Sequence, residues 1–190
     1  MGRLRHRTAP GFTYFVTTKT WQNRAIFQVP EIAAILLKSI LRHRDTGAYL
    51  LHDFVIMPNH LHLLVTPVGD NSIERVMQLI KGGSSHEIHL ARAHKMQIWQ
   101  PGFHEESVRD IEDYRIKSGY IHNNPVHAGL VYTPEDWVYG SAADKHAMDA
   151  RPERLQICSS GAKAPQPPAG EMSELKLRPP KMQPARGTRC

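Results

Sequence analysis

Cysteine is nearly absent from this sequence of 190 residues, in which only Cys158 and Cys190 carry a thiol. Two cysteines near the C-terminal end supply neither a disulfide framework nor the cysteine cluster of a zinc site. The sequence also lacks an apolar run of about 18 residues, the length that a membrane-spanning helix needs, and a signal-peptide pattern near its start. These absences predict a cytoplasmic protein that keeps its thiols reduced and does not enter a membrane.

The first 150 residues have almost no net charge, although the whole chain carries a formal charge of +6. Lys and Arg number 16 against 15 Asp and Glu in residues 1–150, and 8 against 3 in residues 151–190. The last segment also contains seven of the fourteen prolines and no aromatic residue, so it buries too little apolar surface to offset its ordering entropy. We therefore predict one folded domain over 1–150 and a basic, Pro-rich, disordered tail over 151–190, which is either solvated or in contact with nucleic acid.

Strand and helix patterns alternate along residues 1–150. Runs of β-branched and aromatic residues predict strands, and apolar residues at helical spacing predict helices. The predicted strands are 12–21, 48–57, 60–67 and a stretch within 98–108, and the predicted helices are 30–44, 72–95 and 109–124. Asn71 and Glu74 fit a capping box at the start of the second helix, and Pro125 is expected to end the third.

The order of the first six elements, strand, helix, strand, strand, helix, strand, is that of the ferredoxin-like folds. The turn at Pro58 and Asn59 is short enough to join the second and third strands as an antiparallel hairpin. We therefore predict an α+β fold that has an antiparallel sheet, helices on one face and the other face free to hold a ligand. Because that fold carries many functions, the function must be argued from its side chains.

Two histidines one residue apart, His60 and His62, interrupt the apolar stretch FVIMPNHLHLLV. Because side chains alternate along a strand, both imidazoles are expected on one face of the sheet, with Leu61 and Leu63 on the other. Random placement of twelve histidines would produce roughly 0.7 pairs with this spacing, so the spacing alone is a weak signal. Two interpretations therefore remain: a pair of metal ligands, or two hydrogen-bonded histidines of a half-buried sheet.

Two other segments lack residues that their motifs require. HEIHL (86–90) ends in Leu90, where a zinc protease needs a second histidine. KGGSS (81–85) lacks the first glycine and the Gly-Lys order of a phosphate-binding loop. Neither a zinc protease nor a P-loop nucleotide-binding protein is predicted.

The last predicted helix, within RDIEDYRIKSGYIHNNPVHAGLV, carries a tyrosine and an asparagine four residues apart. The face expected to pack against the sheet carries Ile111, Tyr114, Ser118 and Ile121. Tyr120 and Asn124 lie off that face and on the same side as each other. They either project together toward a ligand, or they are an ordinary boundary residue and an ordinary residue of the helix end.

The stretches MPNHLHLLV and YIHNNPVHAGLV together resemble the single-tyrosine transposases of the His-hydrophobic-His (HUH) class, most closely the REP-associated tyrosine transposases. The blocks FVTTKTWQNRAIF, WQPGFHEESVRDIEDY and PEDWVYGSA support the resemblance, which covers roughly residues 8–142. It implies a ferredoxin-like fold, with Tyr120 as the nucleophile and with His60, His62 and Asn124 as ligands of a divalent metal ion, Mn²⁺ or Mg²⁺. It also implies cleavage and rejoining of single-stranded DNA next to hairpin-forming repeats, through a 5′-phosphotyrosine intermediate.

Positively charged residues outside these motifs are candidates for contact with DNA phosphates, which position a strand without reading its sequence. They are Arg3, Arg5 and Arg7 in an N-terminal arm and Arg75 and Lys81 on the second helix. The alternative for each of them is a solvated surface charge without a DNA contact. Two other functions remain open: a ferredoxin-like nucleic-acid-binding module without cleavage activity, and a metal-dependent hydrolase of small substrates. The chain is expected to act as a monomer or a homodimer.

Overall fold

The computed structural model of the chain describes residues 11–93 and 95–155. Within them, four strands and three helices follow one another in the predicted order. These elements are β1 (Tyr14–Lys19), α1 (Pro30–Asp45), β2 (Tyr49–Met57), β3 (His60–Pro67), α2 (Ile73–Arg92), β4 (His104–Ser107) and α3 (Ile111–His127). The predicted α+β class is confirmed. None of the helices in this described part is long and apolar enough to cross a membrane.

The four strands form one antiparallel sheet in the order β2-β3-β1-β4. The two-residue turn Pro58–Asn59 joins β2 to β3, which confirms the predicted hairpin. β1 lies between β3 and β4, and its register sets Thr17 opposite His62 and Lys19 opposite His60. The chain order and the antiparallel pairing are those of the ferredoxin-like unit.

Helices pack on both faces of the sheet. α1 and α2 cover one face, where Leu61, Leu63 and Val65 of β3 join the main apolar core. α3 lies on the opposite face, where its Ile121 packs in a second apolar cluster with Leu64 of β3. The expectation of helices on one face therefore holds for α1 and α2, whereas α3 covers part of the other face. The reason is that β2 and β3 are buried almost along their whole length, so both faces need cover.

α2 begins one residue later than the capping pattern predicts. Ser72, not Asn71, is the N-cap, and its hydroxyl accepts a hydrogen bond from the backbone N–H of Arg75 at 3.2 Å. Serine and asparagine are about equally good N-cap residues, so the pattern could not decide between two neighbours. The helix then runs through its two glycines and ends at Arg92, before the predicted end at residue 95.

α3 continues past the proline that was expected to end it, and Pro125 lies inside its last turn. A proline removes one backbone hydrogen bond, and this loss is small where the helix is about to end. The end carbonyls of the helix find partners just beyond it: those of Val126 and Pro125 accept from the N–H groups of Gly129 and Leu130, at 2.9 Å each. The additional residues keep Asn124 within helical geometry.

The segment 139–149 covers the outer edge of β2. The backbone N–H of Ile56 donates to the carbonyl of Tyr139 at 2.9 Å, and the N–H of Asp149 donates to the carbonyl of Leu51 at 2.9 Å. The Asp149 carboxylate accepts from the N–H of Leu51 at 2.7 Å and from the Arg44 guanidinium at 2.8 Å. These bonds satisfy backbone groups that an open strand edge would present to other chains.

β4 lies within the stretch 98–108 that was predicted to hold a strand. It occupies only the end of that stretch, because Trp99 forms only an isolated bridge with Thr20 before the strand begins at His104. Leu155 is buried in the apolar cluster under α3, so the packed part of the chain extends past residue 150. The rest of the predicted tail, from residue 156 on, lies outside the described residues.

Gly82 and Gly83 offer a paired test of how closely α1 and α2 approach. A Cβ at Gly82 would meet nothing within 4 Å, whereas a Cβ at Gly83 would lie 3.0 Å from Ser39 Oγ and 3.2 Å from His43 Nε2 of α1. We expect Gly82→Ala to raise the free energy of unfolding by about 1 kcal/mol, because alanine is the better helix former. Gly83→Val should lower it by about 1–3 kcal/mol through overpacking. Urea denaturation measures both, and a stabilised Gly83→Val protein would contradict the close approach of the helices.

Candidate active site

His60 and His62 of β3 point to the face of the sheet that α3 covers. The strand alternation predicted for this stretch is therefore confirmed. Their ring centroids are 4.8 Å apart, and the ring planes are nearly perpendicular at 82°. His62 is only 4% exposed, whereas His60 is less deeply buried. The ring of Phe15, on β1, stacks on His62 with 5.4 Å between centroids.

A neighbouring side chain holds one ring nitrogen of each histidine. His60 Nδ1 donates to Asn59 Oδ1 at 2.7 Å, and His62 Nδ1 is hydrogen-bonded to Thr17 Oγ1 at 2.8 Å. An imidazole whose Nδ1 is held in this way presents its Nε2 in a fixed direction. His62 Nε2 is buried and has no hydrogen-bond partner among the described residues. Burying an unpaired polar atom costs free energy, so this nitrogen calls for a functional explanation.

Both imidazoles are neutral at physiological pH. Burial lowers the pKa of His60 to about 4; the positive charge of Lys19 acts in the same direction, and a hydrogen bond with Asn124 opposes it. Burial, then the neighbouring His60 and Lys19, hold the pKa of His62 well below its usual range. Neutral imidazole is the form that offers a lone pair to a metal ion.

α3 brings Tyr120 and Asn124 to the histidine pair. The Tyr120 ring lies edge-on to His62, with 5.2 Å between centroids, and edge-on to Phe15 at 5.9 Å. The Asn124 side chain lies beside His60, close enough to raise the pKa of that imidazole. Two pairs of residues that are distant from each other in sequence therefore meet between β3 and α3. We refer to His60, His62, Tyr120 and Asn124 as the His–Tyr cluster. Their chemical roles stay predictions.

A buried polar network fixes α3 on the sheet beside the His–Tyr cluster. Asp53 of β2 is 2.6 Å from His122 Nε2 and accepts a hydrogen bond from the Ser141 hydroxyl at 2.9 Å. Burial alone would raise the pKa of Asp53, but hydrogen bonds from His122, Ser118 and Ser141 hold it below its usual value. The hydrogen bond with Asp53 in turn raises the pKa of His122. His122 belongs to the turn of α3 that carries the cluster residues, so this network sets their position.

A second set of polar contacts holds the first turns of α3. Lys117 Nζ is 2.8 Å from Glu106 of β4 and 3.2 Å from Asp113, and it lies 5.4 Å from the ring centroid of Phe15. Asp110 caps the helix by accepting from the backbone N–H of Asp113 at 2.8 Å. α3 is therefore anchored at its start as well as beside the cluster, and the charge of Lys117 is balanced by two carboxylates.

The two described residues that were predicted to contact DNA, Arg75 and Lys81, lie away from the His–Tyr cluster. Arg75 and Lys81 lie on α2, which packs on the other face of the sheet. The Lys81 ammonium donates to the backbone carbonyls of Gln100, at 2.8 Å, and Gly102, and burial lowers its pKa to about 8. Outside the described residues lie the other three candidates, Arg3, Arg5 and Arg7. A DNA-binding role for these five residues stays a prediction.

Sequence reasoning missed three residues that shape the site. Thr17 and Asn59 orient the two imidazoles, and Lys19 places a positive charge beside them. Thr17 and Lys19 alternate with Phe15 along β1, a pattern that is visible in the sequence. The pattern could not say which strand they would face, because the register between β1 and β3 depends on the whole sheet. Asn59 directly precedes His60 in the turn, so the sequence could have indicated that its side-chain amide is close enough to bond to the His60 imidazole.

A family described as IS200-like transposases matches residues 13–124 of the chain. The match covers more than half of the sequence and runs from β1 to Asn124, so it includes every element that builds the His–Tyr cluster. The chain belongs to this family of transposases.

Within this class, the chain is similar to REP-associated tyrosine transposases. The protein of that name from Escherichia coli (strain K12) is 28% identical over 142 residues, which cover 74% of this chain and 82% of the relative. A solved structure, described as a REP-associated tyrosine transposase bound to a REP hairpin, is 28% identical and matches with a TM-score of 0.65. That likeness covers 76% of this chain and 84% of the other. The resemblance seen in the two sequence motifs is confirmed.

Asp53→Asn tests whether the buried polar network stabilises the fold. The amide keeps the shape of the side chain but removes the negative charge that accepts from His122 and Ser141. We expect the free energy of unfolding to fall by about 1–3 kcal/mol, the usual cost of weakening a buried, charge-assisted hydrogen bond. Urea denaturation provides the measurement, and Asp70→Asn, on an exposed turn, is the matched control with no expected effect. Equal stability of the two variants would show that the network does not anchor α3.

Proposed function

We propose that this chain is a tyrosine transposase that cleaves and rejoins single-stranded DNA next to hairpins, with a divalent metal ion and a 5′-phosphotyrosine intermediate. The observation that carries the proposal is the contact of Tyr120 with His62 and of Asn124 with His60. A tyrosine beside two neutral imidazoles and an amide combines a nucleophile with potential metal ligands. A module that only binds nucleic acid would not need these four groups together. Membership of the transposase family supports the same class of chemistry.

The His–Tyr cluster has a donor set that fits a divalent ion. His62 Nε2 is buried without a protein partner among the described residues, and the bond from His60 Nδ1 to Asn59 leaves Nε2 of His60 as its lone-pair nitrogen. The Asn124 amide oxygen would be the third ligand. In the described part of the chain, no group of three or more His, Cys, Asp and Glu side chains offers another metal site. Imidazole suits transition-metal ions and an amide oxygen suits Mg²⁺ and Mn²⁺, so we propose Mn²⁺ or Mg²⁺.

Tyr120 would supply the nucleophile. Its oxygen forms a bond to phosphorus while the bond from phosphorus to the 3′-oxygen of the preceding nucleotide breaks. The phenolic proton is lost to solvent, and the departing 3′-oxygen takes up a proton. When bound, the metal ion would supply Lewis-acid stabilisation of the charge that develops on the phosphate. Because one phosphodiester replaces another, a 3′-hydroxyl can attack the phosphotyrosine in reverse and rejoin DNA without a nucleotide cofactor.

The neighbours of the His–Tyr cluster would keep the reacting groups in position. The edge-on contacts with Phe15 and His62 restrict the Tyr120 ring, and Thr17 holds the His62 ring through Nδ1. Such restriction removes part of the entropic cost of bringing a nucleophile to its target. The rigid sheet therefore supports the site, and α3 delivers the tyrosine to it.

Hairpin DNA is the proposed substrate because a similar solved structure is described as bound to a REP hairpin. The formal charge of +6 is consistent with a polyanionic partner. At a single-stranded cleavage point next to a duplex stem, the neighbouring bases are unpaired and the phosphate between them is accessible. Such a phosphate could enter the small cluster between β3 and α3.

Tyr120→Phe is expected to bind DNA as the wild type does but to form no covalent adduct, because the nucleophilic oxygen is gone. The assay uses single-stranded oligonucleotides that carry a hairpin and randomised flanks, with Mn²⁺ present. Because the 5′-phosphate joins the tyrosine, the label is placed at the 3′ end, and a denaturing gel then detects labelled protein. Tyr132→Phe is the matched control, since Tyr132 is 97% exposed and lies beyond α3.

Three outcomes of that assay are informative. An adduct formed by Tyr120→Phe would overturn the assignment of the nucleophile. Cleaved DNA without any adduct in either protein would favour a metal-dependent hydrolase. Binding without cleavage by the wild type would favour a nucleic-acid-binding module.

Thr17→Val is expected to weaken Mn²⁺ binding by about 10-fold or more, because the hydroxyl that orients His62 is lost while the shape of the side chain is kept. Isothermal titration calorimetry in the absence of DNA measures this without relying on activity. Thr18→Val is the matched control: the Thr18 hydroxyl is buried, points to the other face and has no hydrogen-bond partner among the described residues. Equal loss of affinity in both variants would argue against an orienting role for Thr17.

A further inference from the structure

Lys19, the last residue of β1, lies at the edge of the His–Tyr cluster. It is directly opposite His60 in the pairing of β1 with β3. Alternation along β1 places Lys19 on the same face as Thr17 and Phe15, and both of these contact His62. Lys19 is only partly buried, so its ammonium can meet a molecule that enters from solvent.

The charge of Lys19 stands beside the two histidines without a balancing carboxylate among the described residues. Lys19 lies on the face of the sheet that carries both imidazoles, and its partner across β3 is His60 itself. Within the described residues its ammonium has no carboxylate partner, in contrast to Lys117, which has Glu106 and Asp113. A positive charge beside two neutral imidazoles, with no anion supplied by the fold, is a site where an anionic ligand is stabilised.

We propose that Lys19 is a further catalytic residue, whose ammonium donates a hydrogen bond to a non-bridging oxygen of the scissile phosphate. This inference rests on the proposed function, because it takes the DNA phosphate between Tyr120 and the histidines as the anion. An in-line displacement adds negative charge to the phosphate oxygens, and an ammonium fixed before the reaction stabilises that charge more than it stabilises the ground state. Lys19 would therefore act mainly on the rate of the chemical step.

The first test measures single-turnover rates of adduct formation with the 3′-labelled hairpin library and Mn²⁺. Lys19→Gln should slow the reaction by about 100-fold, the typical loss when one preorganised donor to a developing oxyanion is removed. Lys19→Arg keeps a positive donor and should recover most of this loss. Lys38→Gln, which removes an exposed lysine of α1 on the other face of the sheet, is the matched control and should react as fast as the wild type. A Lys19→Gln rate within about twofold of the wild type would overturn the inference.

A second test asks whether Lys19 acts on the scissile phosphate itself. The oligonucleotide that reacts best is prepared with an uncharged methylphosphonate in place of that phosphate, and equilibrium binding is measured in EDTA, where no cleavage occurs. The wild type and Lys38→Gln should bind the uncharged DNA several-fold more weakly than the natural DNA. Lys19→Gln should bind the two DNAs equally. The same penalty in all three proteins would show that Lys19 touches DNA elsewhere or not at all.

The two tests separate this inference from the proposed function. If the wild type forms an adduct and Lys19→Gln does so equally fast, the proposed function stands and the role of Lys19 fails. If the wild type forms no adduct with any member of the library, the proposed function fails, and the role of Lys19 fails with it. A loss of rate that Lys19→Arg does not recover, with an unchanged methylphosphonate penalty, would mean that Lys19 only supports the structure of the strand end.

Discussion

The antiparallel pairing of β1 with β3 is the constraint on which the rest of the site depends. Its register puts His60 and His62 on one face together with Thr17 and Lys19. Because side chains alternate with a period of two, a shift of β3 by one residue would turn both imidazoles into the layer under α1 and α2. That layer consists mainly of apolar side chains, so burying two imidazoles there would be strongly unfavourable. The apolar packing of one face of β3 thus determines the chemistry of the other.

α3 is attached to this sheet by a different kind of contact. α1 and α2 bury mainly aliphatic side chains, whereas the buried residues of α3 are Asp113, Ile121 and Pro125. Directional contacts replace apolar area: His122 meets Asp53, and Lys117 meets Glu106. Hydrogen bonds weaken steeply when their angles change, so they specify the rotation and the translation of a helix more narrowly than apolar packing does. This manner of attachment suits a helix whose tyrosine has to meet a site with small positional error.

The sequence predicted the direction of a side chain well where that direction depends only on residues nearby in the chain. The alternation around His60 and His62 predicted their shared face, and the four-residue spacing of Tyr120 and Asn124 predicted that they would lie on the same side of their helix. It was less informative where distant elements decide. The position of α3 depends on Asp53 and on the apolar side chains of β2 that face α3. The place of Lys19 beside the histidines depends on the register between β1 and β3. Ser72 and Pro125 show the local limit, since two good caps compete at one helix start and a late proline is tolerated at another helix end.

The distribution of charge in the His–Tyr cluster couples the binding of the metal ion to the binding of DNA. In the described part of the chain, no carboxylate contributes to the pKa of His60 or His62, while Lys19 lies beside both. Neutral ligands next to a fixed positive charge hold a divalent ion more weakly than the carboxylate-rich sites that bind such ions alone. A DNA phosphate would offset the charge of the ion and of Lys19 together. Under the proposed function the metal ion and the DNA therefore favour each other's binding, and linkage requires that each raise the affinity for the other by the same factor. A site that its own substrate completes in this way holds its metal ion most tightly when DNA is in place.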